Sequence, residues 1–167
     1  EHWDISLRDL AVQAILPALA DGQVGAPEAL YVGNMLSGQL SDQENLGALI
    51  ADHAGLRGIE ALKVESACAS GAAALRLAYI AVAGGLYDVV LACGVEKMTD
   101  GSGAEVTSAL AAAADATYES EHGLSFVALN ALLMRRYMHV YGYAHEDFGA
   151  FAINAHRNAA ANPNAMF

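Results

Sequence analysis

Apolar positions along the chain fall into alternating runs with helix and strand spacing. Leu7, Leu10, Ala11, Ala14, Ile15 and Leu19 recur at three- and four-residue intervals, which predicts a helix over 6–20. Ser6 or Asp4 can cap its start, Pro17 lies near its end, and Asp21-Gly22 stops it. Residues 29–36 read as a strand and its exit, and Ser37-Gly38 marks a loop. A second helix is predicted over 43–55, capped by Ser41 or Asp42, with Leu46, Leu49 and Ile50 as its stripe and Gly55 at its end. A short strand follows at 60–66.

Residues 69–84 carry apolar side chains on nearly every face, the pattern of a helix buried on most sides. Gly84-Gly85 ends it, and 88–95 form a continuous apolar run, as in a strand covered on both faces. Helix and strand in alternation predict a parallel α/β fold with right-handed crossovers. Periodicity weakens over 99–121, which read as an excursion rather than a linker. Helical patterns return at 124–141 and 145–161, before a closing loop at 162–167. The expected division is a core at 1–98, an excursion region with a helix at 99–144, and a return helix from 145. There is no internal repeat, and Ala111–Ala114 is the one low-complexity tract.

The length of 167 residues fits one domain. With 55% hydrophobic and 16% charged residues, the chain is too apolar for disorder and predicts extensive burial, a subunit interface included. Its most apolar stretch, 72–83, is short and interrupted by Arg76, so no membrane span is expected. Glu1-His2-Trp3-Asp4 has neither the basic start nor the apolar core of a secretory signal. A net charge of -11 with only eight Lys and Arg argues against a nucleic-acid partner. An anionic ligand remains compatible, because a helix N-terminus and a few local bases can hold phosphates. Two cysteines, Cys68 and Cys93, read as reduced thiols in a cytoplasmic protein.

The chemistry concentrates in Glu65-Ser66-Ala67-Cys68-Ala69-Ser70-Gly71, where a strand ends, a turn carries Cys68, and a helix begins. A helix N-terminus favours a thiolate, and its N–H groups can hold the oxyanion formed when sulfur attacks a thioester. Ser66 or Ser70 can cap the helix, and Gly71 leaves room for a ligand beside the backbone. Placement alone also fits a small core cysteine.

The wider run decides between these readings. Cys68 to Gly71, then Gly85-Leu86-Tyr87-Asp88-Val89-Val90, then Gly94-Val95-Glu96-Lys97-Met98 closely resemble the nucleophile region of thiolases. Glu146 to Ala152, with Asn158-Ala159, resembles the helix closing the first thiolase half, so the likeness covers most of the chain. In style it is nearest to archaeal-type and sterol-carrier-protein-type thiolases. The resemblance implies a thiolase-like layered α/β fold, here its N-terminal half, with a mostly parallel sheet and a buried helix just after Cys68. The family's first strand is expected before residue 1. The implied reaction is ping-pong acyl transfer between coenzyme A thioesters, with Cys68 carrying the acyl group and no permanently bound cofactor. The implied assembly is a homodimer or tetramer, with a second protein subunit as a further option.

The same resemblance implies an activating histidine, a second acid/base cysteine and an Asn-held water in the family's second half. No Asn-Glu-Ala-Phe or Gly-His-Pro motif occurs here, so the chain alone is expected to be inactive. Cys93, although followed by Gly94, reads as a buried strand residue. His122-Gly123-Leu124 occupies the position where thiolases line the acyl and pantetheine pocket. The other histidines (2, 53, 139, 145 and 156) lack metal-ligand spacing, and no metal is expected. Met98 and Thr99 are expected to shape the pocket floor or a dimer contact. Arg135, Arg136 and Arg157 read as solvated helix faces rather than phosphate ligands, and residues 134, 137, 138 and 141 as an ordinary helix stripe. Two rivals share the fold. One is a β-ketoacyl synthase, against which the Gly-Val-Glu-Lys-Met run argues, and the other is a thiolase-like subunit without turnover.

Overall fold

The central strand shows how the first part of the chain is organised. In the computed structural model, which describes residues 2–166, β1 (Ala29–Gly33) is buried along its whole length. It pairs in parallel with β2 (Glu60–Val64) on one side and β3 (Val90–Gly94) on the other, giving the order β2-β1-β3. Gly33 at the strand's end lies beside Val64 and Gly94.

Period-two alternation sorts β1 onto two layers. Leu30 and Val32 join Leu7, Ala11 and Ile15 of α1 (Leu7–Gly22) and Leu46, Ile50 and Ala51 in one cluster. Ala29 and Tyr31 pack on the opposite side against Ala74, Ala78 and Ala81 of α4 (Ser70–Ala83). Each large aliphatic side chain so buried contributes roughly 1.5–3 kcal/mol. Between β1 and β2 lie α2 (Ser37–Leu40) and α3 (Leu46–His53). After β3 comes α5 (Gly103–Ala111), opened by a capping box in which Ser102 and Glu105 bond each other's backbone N–H.

The chain divides into two compact units between Asp115 and Ala116. The second contains α6 (Phe126–Tyr141), capped by Ser125, a short 3₁₀ turn at His145–Phe148, and α7 (Gly149–Ala159). Tyr137 gathers Tyr141, Tyr143 and Phe148 around it, with ring centroids 4.7, 5.4 and 6.0 Å away. No helix of the described residues is long and apolar enough to cross a membrane.

The parallel α/β architecture agrees with the sequence reading, while several local expectations are corrected. Ser6 caps α1 by accepting the Asp9 N–H, but the helix runs through Asp21 and Gly22 to a left-handed Gln23. Residues 34–36 leave the sheet, and Ser37-Gly38 opens α2 instead of a loop. Neither Ser41 nor Asp42 caps α3, which starts at Leu46 behind a left-handed Asn45. The strands expected at 60–66 and 88–95 are each five residues long. The expected excursion at 99–121 contains α5. Helix α4 is buried along one stripe only: Leu75 is 65% and Tyr79 73% exposed.

Candidate active site

Strand β1 is central, and the chain leaves it first to β2 and then to β3 on the other side. Such a switch point opens a crevice beyond the carboxyl ends of the strands. The crevice here is a cavity of about 420 Å³. Met35 and Leu36 line it from the exit of β1, Glu96 and Met98 from the exit of β3, and Cys68 from the turn between β2 and α4.

Cys68 is exposed, in a 3₁₀ turn spanning Ala67–Ala69 that leads directly into α4. The turn is tight enough to force Ala67 to φ +47, the left-handed region. For a residue with a Cβ this costs about 1–2 kcal/mol, so the surroundings must hold it. They do so with polar contacts. The Glu65 carboxylate accepts the Ala67 N–H. The Ser70 hydroxyl accepts the Ser66 N–H at 2.9 Å and donates to the Ala67 carbonyl at 2.6 Å. Neither Ser66 nor Ser70 therefore caps α4 in the expected way, because the Ser70 hydroxyl is turned back into the turn.

Three glycines set the helix against the sheet. A Cβ on Gly33 would lie 2.5 Å from the Ser70 carbonyl oxygen and 2.6 Å from the Gly71 backbone nitrogen. Gly94 and Gly71 meet less tightly, a Cβ on Gly94 lying 3.6 Å from the Gly71 Cα, an ordinary van der Waals contact. The room expected beside Gly71 is thus where α4 closes on the strand ends, with Gly71 at the cavity edge. Charge developing at Cys68 faces the positive end of a 14-residue helix.

The opposite wall is held by a clamp that the sequence reading did not assign. Glu96 extends from β3 and its Oε2 accepts the N–H groups of Met35 (3.0 Å) and Leu36 (3.1 Å). Its Oε1 accepts from the Asn34 amide at 2.8 Å. Asn34, only 1% exposed, also donates to the Val95 carbonyl and accepts the Ser37 N–H. Lys63 extends the network from β2, donating to the Ser37 hydroxyl at 2.9 Å and pairing with Glu44 at 3.3 Å. Lys97, buried, pairs with Asp100. A polar residue on each of two neighbouring strand exits was the available clue, since both follow apolar runs.

Cys93 is buried within β3, and burial pushes its thiol pKa up. Met98 lines the cavity, while the Thr99 hydroxyl donates to the His2 carbonyl at 3.1 Å. His122, Gly123 and Leu124 belong to the second unit. There His122 ends a short 3₁₀ turn and is exposed, Gly123 takes φ +79, and Leu124 is half-buried. No group of three or more His, Cys, Asp or Glu among the described residues is placed to hold a metal ion. No histidine borders the cavity among those residues.

An exposed cysteine on a tight turn above the carboxyl ends of a parallel sheet defines a class of α/β protein built around a presented thiol. The chain belongs to the thiolase family: the family model "Thiolase, N-terminal domain" matches residues 2–167. An acetyl-CoA acetyltransferase of Methanothermobacter thermautotrophicus is 46% identical over 100% of this chain and 44% of its own length. That of Methanocaldococcus jannaschii is 42% identical, over 100% of this chain and 43% of the relative. Sterol carrier protein 2 of Bos taurus is 32% identical over 95% of this chain and 30% of its own length. The chain thus spans less than half the length of these relatives.

Proposed function

We propose that this chain supplies the nucleophile half of an acetyl-CoA acetyltransferase, with Cys68 as the residue that carries the acyl group. The observation behind this reading is the exposed thiol on a held turn, at the mouth of a cavity over the strand ends. The names of the two archaeal relatives supply the substrate class, coenzyme A thioesters.

In this reaction the Cys68 sulfur attacks the thioester carbonyl carbon. The tetrahedral oxyanion collapses, and coenzyme A leaves as a thiolate that takes up a proton. A second acyl-CoA, deprotonated at its α-carbon, then attacks the acyl-enzyme carbonyl, forming a C–C bond and returning the Cys68 thiolate. Thiolysis is the reverse. By resemblance, the base and acid for these proton transfers are a histidine and a second cysteine in the family's second domain. The reading also assigns His122, Gly123 and Leu124 to the acyl and pantetheine pocket. It includes a homodimeric or tetrameric assembly and a cytoplasmic location, with residues 1–98 as the domain core.

The test is acyl trapping. The full-length protein is incubated with acetyl-CoA, digested and mapped by mass spectrometry. Acetyl mass is expected on the peptide containing Cys68 and lost in Cys68→Ser. Acetyl mass on another residue of an active enzyme would refute the assignment.

A further inference from the structure

We propose that Ser70 is a positioning residue for Cys68, its hydroxyl locking the left-handed turn that presents the thiol. This rests on the reading of Cys68 as the nucleophile. Ser70 is 4% exposed and lies two residues beyond Cys68. Its hydroxyl brackets Ala67 from both sides, accepting from the N–H of Ser66 and donating to the carbonyl of Ala67 itself. The Ser70 backbone N–H points at the same carbonyl, so one residue supplies both donors that fix it. Ala67 has a Cβ and a φ of +47, a conformation that relaxes toward negative φ once released. Relaxation there rotates the next residue, Cys68, away from the cavity.

Ser70 is in turn fixed from below. Its carbonyl sits over Gly33 at the end of the fully buried strand β1, at a distance that no side chain on Gly33 would permit. The path from the sheet to the thiol is therefore short and rigid: β1, Ser70, the Ala67 peptide, Cys68. The hydroxyl proton is committed to the Ala67 carbonyl. Ser70 thus acts through Cys68 and not on substrate.

The experiment uses the full-length protein and measures the pH–rate profile for iodoacetamide alkylation of Cys68, located by peptide mapping, beside kcat and KM. Ser70→Ala is expected to slow alkylation roughly tenfold and lower kcat by roughly tenfold to a hundredfold, with KM little changed, as for a misplaced reacting group. Adding Ala67→Gly to Ser70→Ala is expected to recover most of the alkylation rate, because glycine holds positive φ without the lock. A purely structural role would lower Tm and leave the alkylation rate of the folded protein unmoved, which would overturn the proposal. So would failure of Ala67→Gly to restore reactivity in a folded double variant. If Ser70→Ala does not fold, Ala67→Val decides. It keeps the hydroxyl but resists positive φ, and wild-type alkylation in that variant would equally overturn the proposal. Acetyl mass trapped away from Cys68, with these alkylation effects intact, would sink the nucleophile reading and leave the lock standing.

Discussion

Exchanging Glu96 for Gln keeps the side chain's shape and removes one oxygen and its charge. The network leaves the new amide no good orientation. With its oxygen toward the N–H groups of Met35 and Leu36, its NH₂ faces the NH₂ of Asn34 at the former 2.8 Å contact. Turned the other way, it opposes two backbone donors. Asn34 cannot reverse to accommodate it, because its oxygen accepts the Ser37 N–H at 2.9 Å and its nitrogen donates to the Val95 carbonyl at 2.9 Å. One charge-assisted bond is lost, at about 1.5–3 kcal/mol, and two others fall to neutral strength. Glu96 is half-buried, so screening trims the total, and a loss of about 2–4 kcal/mol is expected.

Two measurements on the full-length protein read this loss. Denaturant unfolding gives the overall change in midpoint. Amide hydrogen exchange at Met35 and Leu36 reads the broken bonds directly, with faster exchange expected there than in β1. Because both residues wall the cavity opposite Cys68, KM for the acyl-CoA is expected to rise. A change below about 0.5 kcal/mol, the ordinary scatter of surface substitutions, with exchange at 35 and 36 unaltered, would refute the clamp.

Three further outcomes are expected. Gly33→Ala places a methyl against backbone atoms of Ser70 and Gly71 that cannot yield singly, so a loss of about 3 kcal/mol or more is expected in unfolding experiments. Ala74→Leu, at a position with no exposure between α4 and β1, is expected to cost about 1–3 kcal/mol by overpacking and to slow Cys68 alkylation by lifting the helix. Burial and the hydrogen bond to Glu60 push the Tyr31 hydroxyl up to about 12. In the unfolded chain it ionises near 10, so its contribution is complete below pH 10 and lost as pH climbs toward 12. Tyr31→Phe is expected to flatten the stability decline in that window, as measured by unfolding at stepped alkaline pH.

Elements whose cause is local were legible in the sequence. The stripe of Leu7, Ala11 and Ile15, the apolar runs of β1 and β3, and the serine cap at Ser6 follow from spacing and capping chemistry within a few residues. The turn at Cys68 was legible for the same reason. The Glu96–Asn34 clamp was not, because its partners stand 62 residues apart and meet only when β1 and β3 pair in register. The left-handed Ala67 and Asn45 were also hidden. Sequence offers glycine, and less often asparagine, as the mark of positive φ, and at Ala67 hydrogen bonds hold a residue that would not choose it alone.

Helix α4 shows how composition can mislead about burial and still encode the site. Its apolar residues surround the axis, yet the sheet takes only Ser70, Ala74, Ala78 and Ala81, a stripe of small side chains at helical spacing. The large residues, Leu75, Tyr79, Ile80 and Val82, point away from it. Small residues beneath a helix let its axis approach the sheet closely, and the approach is tightest where Ser70 and Gly71 meet Gly33. That contact fixes the start of α4, hence Ser70, hence the turn carrying Cys68. The alanine stripe and the glycine cluster are therefore one geometric requirement, set at both ends of the helix. The thiol's position depends on residues that carry no chemistry of their own.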